Sequence, residues 1–525
     1  MAKKISSAWL LPFMVAQGLA ALQSNNSCVR LPFPRLVPCV FTPGSAELVA
    51  DAVNLFRENN CSFAVRSGGH SPSKGWANID GGVLLATTDL NNLTLRDNHV
   101  SVGAGLRWGS VYDFLDPHEL VVIGGRGGGV GVSGLVLGGG VSHFTPMRGL
   151  ACDNVKGFEI VTVDGLILQA NAETHTDLWQ ALKGGQNMFG VVTRFDLYTY
   201  PSPRIHDLSG QVPMTDFDQV ADAFDSYINR HSGEDAAAAL TVGVTSYYVT
   251  FLGDPFLQVD ALSTAGDGGR PGYQQPWITN NVTRELRLPA PLVDLQGLPF
   301  KSVSEKWGTM AKLAAGAETP ALRYDLRTMS FRSSPEMLKR MKAIFEDEVA
   351  GLSGTVANFS GIIEWQLVTK RAIAQGIEKG SNVLGLEGSG PLILFAMANS
   401  WSSAAGDEAA YGAGQRIIER GEVLAKELGL HVPFVYALPN PAFRPLSFPS
   451  SRPFSHGPEQ ARSTNSKLTM GVVSRYANYA AAGQDVVASY GAENLLKLSK
   501  VRAKYDPEDK LSRILPGGLS GQTTL

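Results

Sequence analysis

The stretch Gly124-Gly125-Arg126-Gly127-Gly128-Gly129-Val130-Gly131-Val132-Ser133-Gly134-Leu135-Val136-Leu137-Gly138-Gly139-Gly140 decides how the rest of the chain is read. More than half of it is glycine, and ordering each glycine costs up to about 1 kcal/mol relative to alanine. Something must compensate, and a bound pyrophosphate contacted by backbone N–H groups is the natural candidate. A flexible linker does not fit, because Val130, Val132, Leu135 and Leu137 set buried-type side chains among the glycines. A nicotinamide-type dinucleotide fingerprint does not fit either, since the run is not expected to open a helix inside a strand-helix-strand unit.

Toward the N-terminus, Phe63-Ala64-Val65-Arg66-Ser67-Gly68-Gly69-His70-Ser71-Pro72 reads as a strand that enters a tight glycine turn ending on histidine. Two glycines permit positive backbone angles and let main-chain N–H groups face an anion unobstructed. His70 then projects from a rigid turn beside that anion. In an isolated Gly-Gly-His the histidine is ordinarily a hydrogen-bonded turn residue, and the glycine run downstream is what favours a cofactor.

Around these two signals the chain has three textures. From about 36 to 204, short strand-like runs at 83–86, 99–102, 121–123, 158–163 and 190–197 alternate with turns and a few helices, a glycine-punctuated α+β domain. From 205 to 444, helical segments such as 335–346 and 408–428 alternate with strands such as 240–252 and 392–398, which reads as a second domain with its own sheet. Residues 466–525 carry a tyrosine-containing segment and one amphipathic helix over 482–504, closed by Tyr505-Asp506-Pro507. They are too few to stand alone and are expected to pack back on the first domain.

With 525 residues, 44% hydrophobic and 18% charged, the chain is apolar enough for a large core, so intrinsic disorder and a coiled coil are excluded. The formal net charge of -3 supplies no electrostatic reason for a nucleic-acid partner. No His, Cys or carboxylate cluster has metal-ligand spacing.

The first 20 residues combine Lys3-Lys4, an apolar run over 5–16 and Gly18-Leu19-Ala20, the three parts of a secretory signal peptide cleaved after Ala20. Pro12 and Gln17 interrupt the run, which falls short of the roughly 20 apolar residues of a membrane anchor. A secreted protein with no membrane association in its mature form is expected. Sequons at Asn25, Asn60, Asn92, Asn281 and Asn358 agree with an exported glycoprotein. Export also lets disulfides persist. Cys39 and Cys61 are the favoured pair, on strands 37–42 and 62–65 expected to lie side by side with the helix 45–59 between them. Cys28 is the rival partner, and Cys152 is read as a free buried thiol.

Six ordered blocks then resemble one family: Arg66-Ser67-Gly68-Gly69-His70; Gly149-Leu150-Ala151-Cys152-Asp153-Asn154-Val155; Asp177-Leu178-Trp179-Gln180-Ala181-Leu182-Lys183-Gly184-Gly185; Phe189-Gly190-Val191-Val192-Thr193; Tyr476-Ala477-Asn478-Tyr479; and Lys504-Tyr505-Asp506-Pro507. The chain resembles, over nearly its whole mature length, the secreted FAD-linked oxidoreductases of the vanillyl-alcohol oxidase superfamily, in the fungal berberine-bridge-enzyme-like branch. The resemblance implies an α+β fold: a two-part PCMH-type FAD-binding domain, made of the N-terminal half and the C-terminal tail, with an inserted α+β substrate domain whose antiparallel sheet is flanked by helices. It implies FAD bound covalently through His70. An alkylated imidazole on the flavin's benzenoid ring should make the ring easier to reduce and prevents loss of the cofactor. The cofactor residues implied are Arg66, Ser67, Gly68, Gly69, Ser71, Gly129, Val130, Gly131, Ser133, Gly134, Gly139, Asn187, Val191 and Asn478. Many plant relatives add a second bond through a cysteine that corresponds here to Gly127, so one bond is expected and not two. Val130 matches the position where a valine leaves oxygen a route to the flavin. Gly185-Gln186-Asn187-Met188 departs from the richer glycine or asparagine of relatives.

In relatives the segment matching Tyr476, Asn478 and Tyr479 runs beside the flavin, and a tyrosine commonly serves as base. Strand alternation puts Tyr476 and Asn478 on one face and Tyr479 on the other. Tyr476 is the leading candidate, Tyr479 the second and Glu364 the next, although aromatics in such a segment are often plain sheet residues. Ile362-Ile363-Glu364-Trp365-Gln366 and the nearly apolar strand 392–399 read as sheet strands roofing the flavin. Glu364 and Gln366 share a face that could equally be solvated. His143 is as easily structural as flavin-facing. Two activities follow as expectations. One is an oxidase that takes a hydride from a small organic substrate, a secondary-metabolite alcohol or amine or a carbohydrate, and reduces oxygen to hydrogen peroxide. The other is a redox-neutral cyclase or isomerase in which FAD is structural.

Overall fold

A computed structural model describes residues 39–72, 75–203, 205–231, 238–246, 256–263, 298, 302–314, 323–432 and 484–517. The chain opens with β1 (Cys39–Phe41), α1 (Ala46–Glu58), β2 (Phe63–Arg66) and β3 (Val83–Ala86). The Ser45 hydroxyl caps α1 by accepting from the Leu48 N–H, and Val49, Val53 and Phe56, at helical spacing, bury one face. The three strands form a parallel sheet in the order β1-β3-β2. Cys39 and Phe63 both pair with Val83, so β3 lies between the two strands expected to be neighbours. Two strand spacings are about 9.5 Å, beyond the roughly 7 Å that a disulfide spans between Cα atoms. The Cys39–Cys61 pairing is therefore wrong: Cys39 and Cys152 are free, and Cys61 is bonded to a cysteine outside the described residues.

Next come β4 (Leu93–Leu95), β5 (His99–Gly103), α2 (Trp108–Leu115), β6 (Leu120–Val122), α3 (Val132–Leu137), α4 (Thr145–Arg148), β7 (Val155–Val161), β8 (Ile167–Asn171), α5 (Thr176–Leu182) and β9 (Val191–Pro201). Strands β4, β5, β9, β7 and β8 form an antiparallel sheet in that order, with β6 on β9. Phe158, Ile160, Phe195 and Leu197 of β7 and β9 join the α1 residues in one core.

A third sheet has seven antiparallel strands: β10 (Ile205–Pro213), β11 (Ala238–Ser246), β12 (Phe256–Ser263), β13 (Ser302–Gly308), β14 (Arg323–Phe331), β15 (Ser360–Val368) and β16 (Leu392–Trp401), in the order β13-β10-β12-β11-β15-β16-β14. Its helices are α6 (Phe217–His231), α7 (Met310–Leu313), α8 (Pro335–Val349), α9 (Lys370–Glu378) and α10 (Asp407–Glu427). Met337, Met341 and Phe345 of α8 and Ile417 and Leu424 of α10 pack on Ile363, Trp365, Phe395 and Met397 in a core of their own.

The helix expected over 482–504 breaks at Gly491, whose φ of 86° suits glycine. A 3₁₀ turn over Val487–Tyr490 precedes α11 (Ala492–Tyr505), and α12 (Lys510–Ile514) follows. The Tyr490 hydroxyl donates to the Gly184 carbonyl, and Lys504 pairs with Asp177 at 2.7 Å, so this tail lies on α5 and the turn that follows it. Among the described residues no helix is long and apolar enough to cross a membrane, and no His/Cys/Asp/Glu group could hold a metal ion.

Candidate active site

The His70 turn and the glycine run meet backbone to backbone. A Cβ on Gly68 would lie 2.5 Å from the nitrogen of Gly131, and one on Gly131 would lie 2.5 Å from the nitrogen of Gly68. The Ser67 and Ser133 hydroxyls both donate to the Ala104 carbonyl, at 2.7 and 2.6 Å, which ties the turn and the start of α3 to one point. Gly69 takes a φ of 64°, and beyond it His70 and Ser71 are exposed.

Much of the glycine run serves the protein's own packing. The Trp108 ring of α2 would touch a Cβ on Gly124 or Gly125, and the Gly128 N–H donates to the Ala314 carbonyl after α7 at 2.7 Å. A pyrophosphate is therefore not the sole compensation for this glycine density. The run does open a short helix, α3, but not inside a parallel strand-helix-strand unit, as expected. It still is no nicotinamide fingerprint, because β6 pairs antiparallel with β9 rather than entering a parallel strand-helix-strand unit. Gly129 and Gly134 remain with nothing within 4 Å of an added Cβ, the open part of the cradle. Val130 is half-buried between them.

Sequence reasoning missed Arg107. Its guanidinium donates to the Gly129 carbonyl, and its backbone bridges Gly131. Partial burial and then the charge of Arg107 hold the His70 imidazole below the usual histidine range, so it is neutral at pH 7. His143 is half-buried and pushed down to about 3, first by burial and then by Arg126, so it too stays neutral. Gly139 (φ 107°) accepts from the Cys152 N–H, and the Asn187 amide donates to the Gly517 carbonyl, fastening the tail. Val191 is buried in β9.

Alternation along β15 and β16 separates two faces. Ile363, Trp365, Ile393 and Phe395 enter the helix-backed core, whereas Val368, Leu392 and Leu394 belong to the first core. Glu364 and Gln366 fall on that second side, the one that shares the first core. Gln366 is 2% exposed and donates to Glu364 Oε2 at 2.8 Å, so this is no solvated strand face. Opposite Glu364 sits Ala396, and opposite Ala396 sits Thr328. The buried Gln484 amide bonds both the N–H and the carbonyl of Thr328, at 3.1 and 2.8 Å, on the edge strand β14. Tyr476, Asn478 and Tyr479 lie outside the described residues.

Where the two units meet, a buried polar group escaped sequence reasoning, although Cys152-Asp153-Asn154 and Lys183 stand inside blocks already singled out. Asp153 accepts from the Leu150 N–H and the Asn382 amide, both at 2.8 Å. Lys183, fully buried, lies 3.3 Å from the Trp179 ring centroid and donates to the Lys379 carbonyl. Lys379 donates to the Arg148 carbonyl and to Asn154 Oδ1. Burial pulls Lys183 and Lys379 down to about 8, and burial raises Asp153 and Cys152.

A cradle of unobstructed glycines, an exposed neutral histidine and a facing sheet suit a dinucleotide with a planar ring. Residues 37–171 match the family model described as an FAD binding domain. The "FAD-dependent monooxygenase FUP4" of Fusarium proliferatum (strain ET1) is 31% identical over 91% of this chain and 84% of its own length. This chain belongs to the same family of FAD-dependent enzymes as that relative. A second relative of the family, the "FAD-dependent monooxygenase tpcD" of Cochliobolus heterostrophus (strain C5), is also 31% identical, with the same coverage. Among solved structures, the fold is shared with xylooligosaccharide oxidase from Myceliophthora thermophila C1, at a TM-score of 0.67 and 16% identity over 96% of this chain and 98% of that one. As a family member it is an FAD-binding flavoenzyme. FAD fits the cradle as found: Gly129 and Gly134 leave room at the main chain, and Gly68, Gly131, Ser67 and Ser133 hold the two loops at fixed distance.

Proposed function

We propose that this family member is an oxidase of a small organic substrate, a secondary-metabolite alcohol or amine or else a carbohydrate. Bound FAD would supply a hydride acceptor for a substrate C–H bond and a route for both electrons to oxygen, giving hydrogen peroxide. The observation that carries the reading is Glu364: among β14, β15 and β16 it is the one carboxylate on the side that shares the first core through Leu394 and Val368, held by Gln366 and flanked on that face by Ile362, Leu394, Ala396 and Ala398. Such a surface suits an apolar substrate body, and its carboxylate can accept the proton that alcohol or amine oxidation releases. The names of the relatives speak of monooxygenases, while Myceliophthora xylooligosaccharide oxidase is named an oxidase. Anaerobic titration with candidate substrates separates oxidation, which bleaches the flavin, from redox-neutral conversion, which does not. Under labelled oxygen, one peroxide per product and no label in the product marks the oxidase. Label in the product marks the monooxygenase and overturns this reading.

The covalent bond through His70 belongs to the same proposal. Acid-precipitated protein should stay yellow, with the flavin on a peptide containing His70, and His70→Ala should leave FAD bound but extractable. A colourless precipitate from fully loaded wild-type protein refutes the bond. Val130, half-buried in the cradle, is proposed to keep the oxygen route open. Val130→Leu should slow reoxidation of reduced enzyme in air without changing its reduction by substrate, and equal reoxidation rates would remove this reason for preferring an oxidase. Secretion is proposed on residues 1–20 and on the exposed sequons at Asn60, Asn92 and Asn358.

A further inference from the structure

The loop that enters α2 touches both halves of the cradle. The Trp108 N–H donates to the Val130 carbonyl and the Val132 N–H to the Leu106 carbonyl, both at 3.0 Å, while the Arg107 backbone bridges Gly131. Gly131 in turn lies against Gly68, two residues before His70. The Arg107 guanidinium holds the carbonyl of Gly129, one of the two open glycines of the cradle. We propose that Arg107 is the positioning residue of the His70–flavin bond, clasping the cradle to the turn and setting a fixed positive charge beside the imidazole.

This rests on the covalent reading above. The bond joins an imidazole nitrogen to the methyl carbon on the flavin's benzenoid ring. The imidazole N–H and one methyl C–H are lost, and their two hydrogens, with one electron pair, pass into the flavin. Oxygen then takes both electrons and both protons as hydrogen peroxide, restoring the oxidised ring. Only a neutral imidazole has the lone pair for this step. The cation that acts on the His70 imidazole is Arg107 from the α2 loop, while the Arg66 side-chain carbons pack against Gly69 in the same turn. The charge of Arg107 lowers the proton affinity of His70 beyond what burial does, which keeps the nucleophile available at more acidic pH.

The test uses the full-length chain produced without flavin and then mixed with FAD, following acid-stable flavin over time from pH 5 to pH 9. Wild type should link FAD with a midpoint below the ordinary histidine range. In Arg107→Met the midpoint should move up, and the linking rate at pH 5 should fall about tenfold for every whole pH step that the midpoint rises. Arg107→Lys, which keeps the charge, should restore the midpoint even if the rate stays low. A purely architectural arginine would instead lower the rate by the same factor at every pH, in the lysine variant as well. Should Arg107→Met fail to fold, Arg107→Gln carries the comparison, and the ring-proton resonance of His70, titrated in the flavin-free chains, reads the same midpoint independently. An unmoved midpoint in a variant whose wild type links FAD overturns this inference alone. A wild type that binds FAD without linking it overturns the covalent reading, and this inference falls with it.

Discussion

Glu364→Gln should slow reduction of the flavin by substrate roughly 100-fold or more, the range for loss of a general base, while FAD content and folding persist. Glutamine has the shape of glutamate and can still offer an oxygen to the Gln366 amide, which now bonds Glu364 Oε2 at 2.8 Å. Ala396, directly across the ladder, presents no side chain that could replace the lost carboxylate. The substitution thus removes proton-accepting capacity and little else. Stopped-flow reduction under anaerobic conditions measures the step directly, and Tyr476→Phe and Tyr479→Phe are the comparators, since each removes only a hydroxyl. A parent rate in Glu364→Gln together with a 100-fold fall in Tyr476→Phe would give the base to that tyrosine, and a fall in Tyr479→Phe alone would give it to Tyr479.

Asp153→Asn should cost about 3 to 5 kcal/mol of stability, the usual result of removing one partner from a buried ionic group. Asn has one acceptor oxygen where the carboxylate serves both the Leu150 N–H and the Asn382 amide, so one bond becomes a donor facing a donor. Lys183 and Lys379 also lose the carboxylate that favours their charge. The thermal midpoint should fall by several degrees, with the two units separating earlier, because Asn382 and Lys379 come from one unit and Asp153 and Lys183 from the other. Lys183→Met, by contrast, keeps the apolar stem on Trp179 and removes a buried charge, so its cost should be small.

A pH arm isolates the lysine. Its folded value of about 8 lies below the 10.5 of an unperturbed lysine. Between those values the unfolded chain holds a proton that the folded one has released, so stability rises with pH across that window. The thermal midpoint of wild type relative to Lys183→Met should therefore climb from pH 8 toward pH 10. A constant difference would mean that Lys183 titrates normally.

What the sequence by itself determined is what depends on neighbours along the chain. The 49, 53, 56 spacing marks α1, the short runs rich in strand-forming apolar residues at 83–86, 99–102 and 392–398 mark strands, and the Ser67 to Ser71 turn and the glycine run mark the cradle, because periodicity, run length and backbone freedom are local. Only the tertiary structure decided what depends on residues far apart. β3 inserts between β1 and β2 and forbids the Cys39–Cys61 bond, because strand order is set by packing and leaves no local trace. Trp108 and Ala314 account for glycines that looked reserved for a ligand, and Gly491 interrupts a helix whose apolar spacing runs straight through it. Arg107, an exposed residue in an ordinary loop, acquires meaning only when Gly129 and His70 are folded up to it. Asp153 and Lys183, thirty residues apart, become one buried group with Lys379 because burial strengthens charge interactions that water would screen.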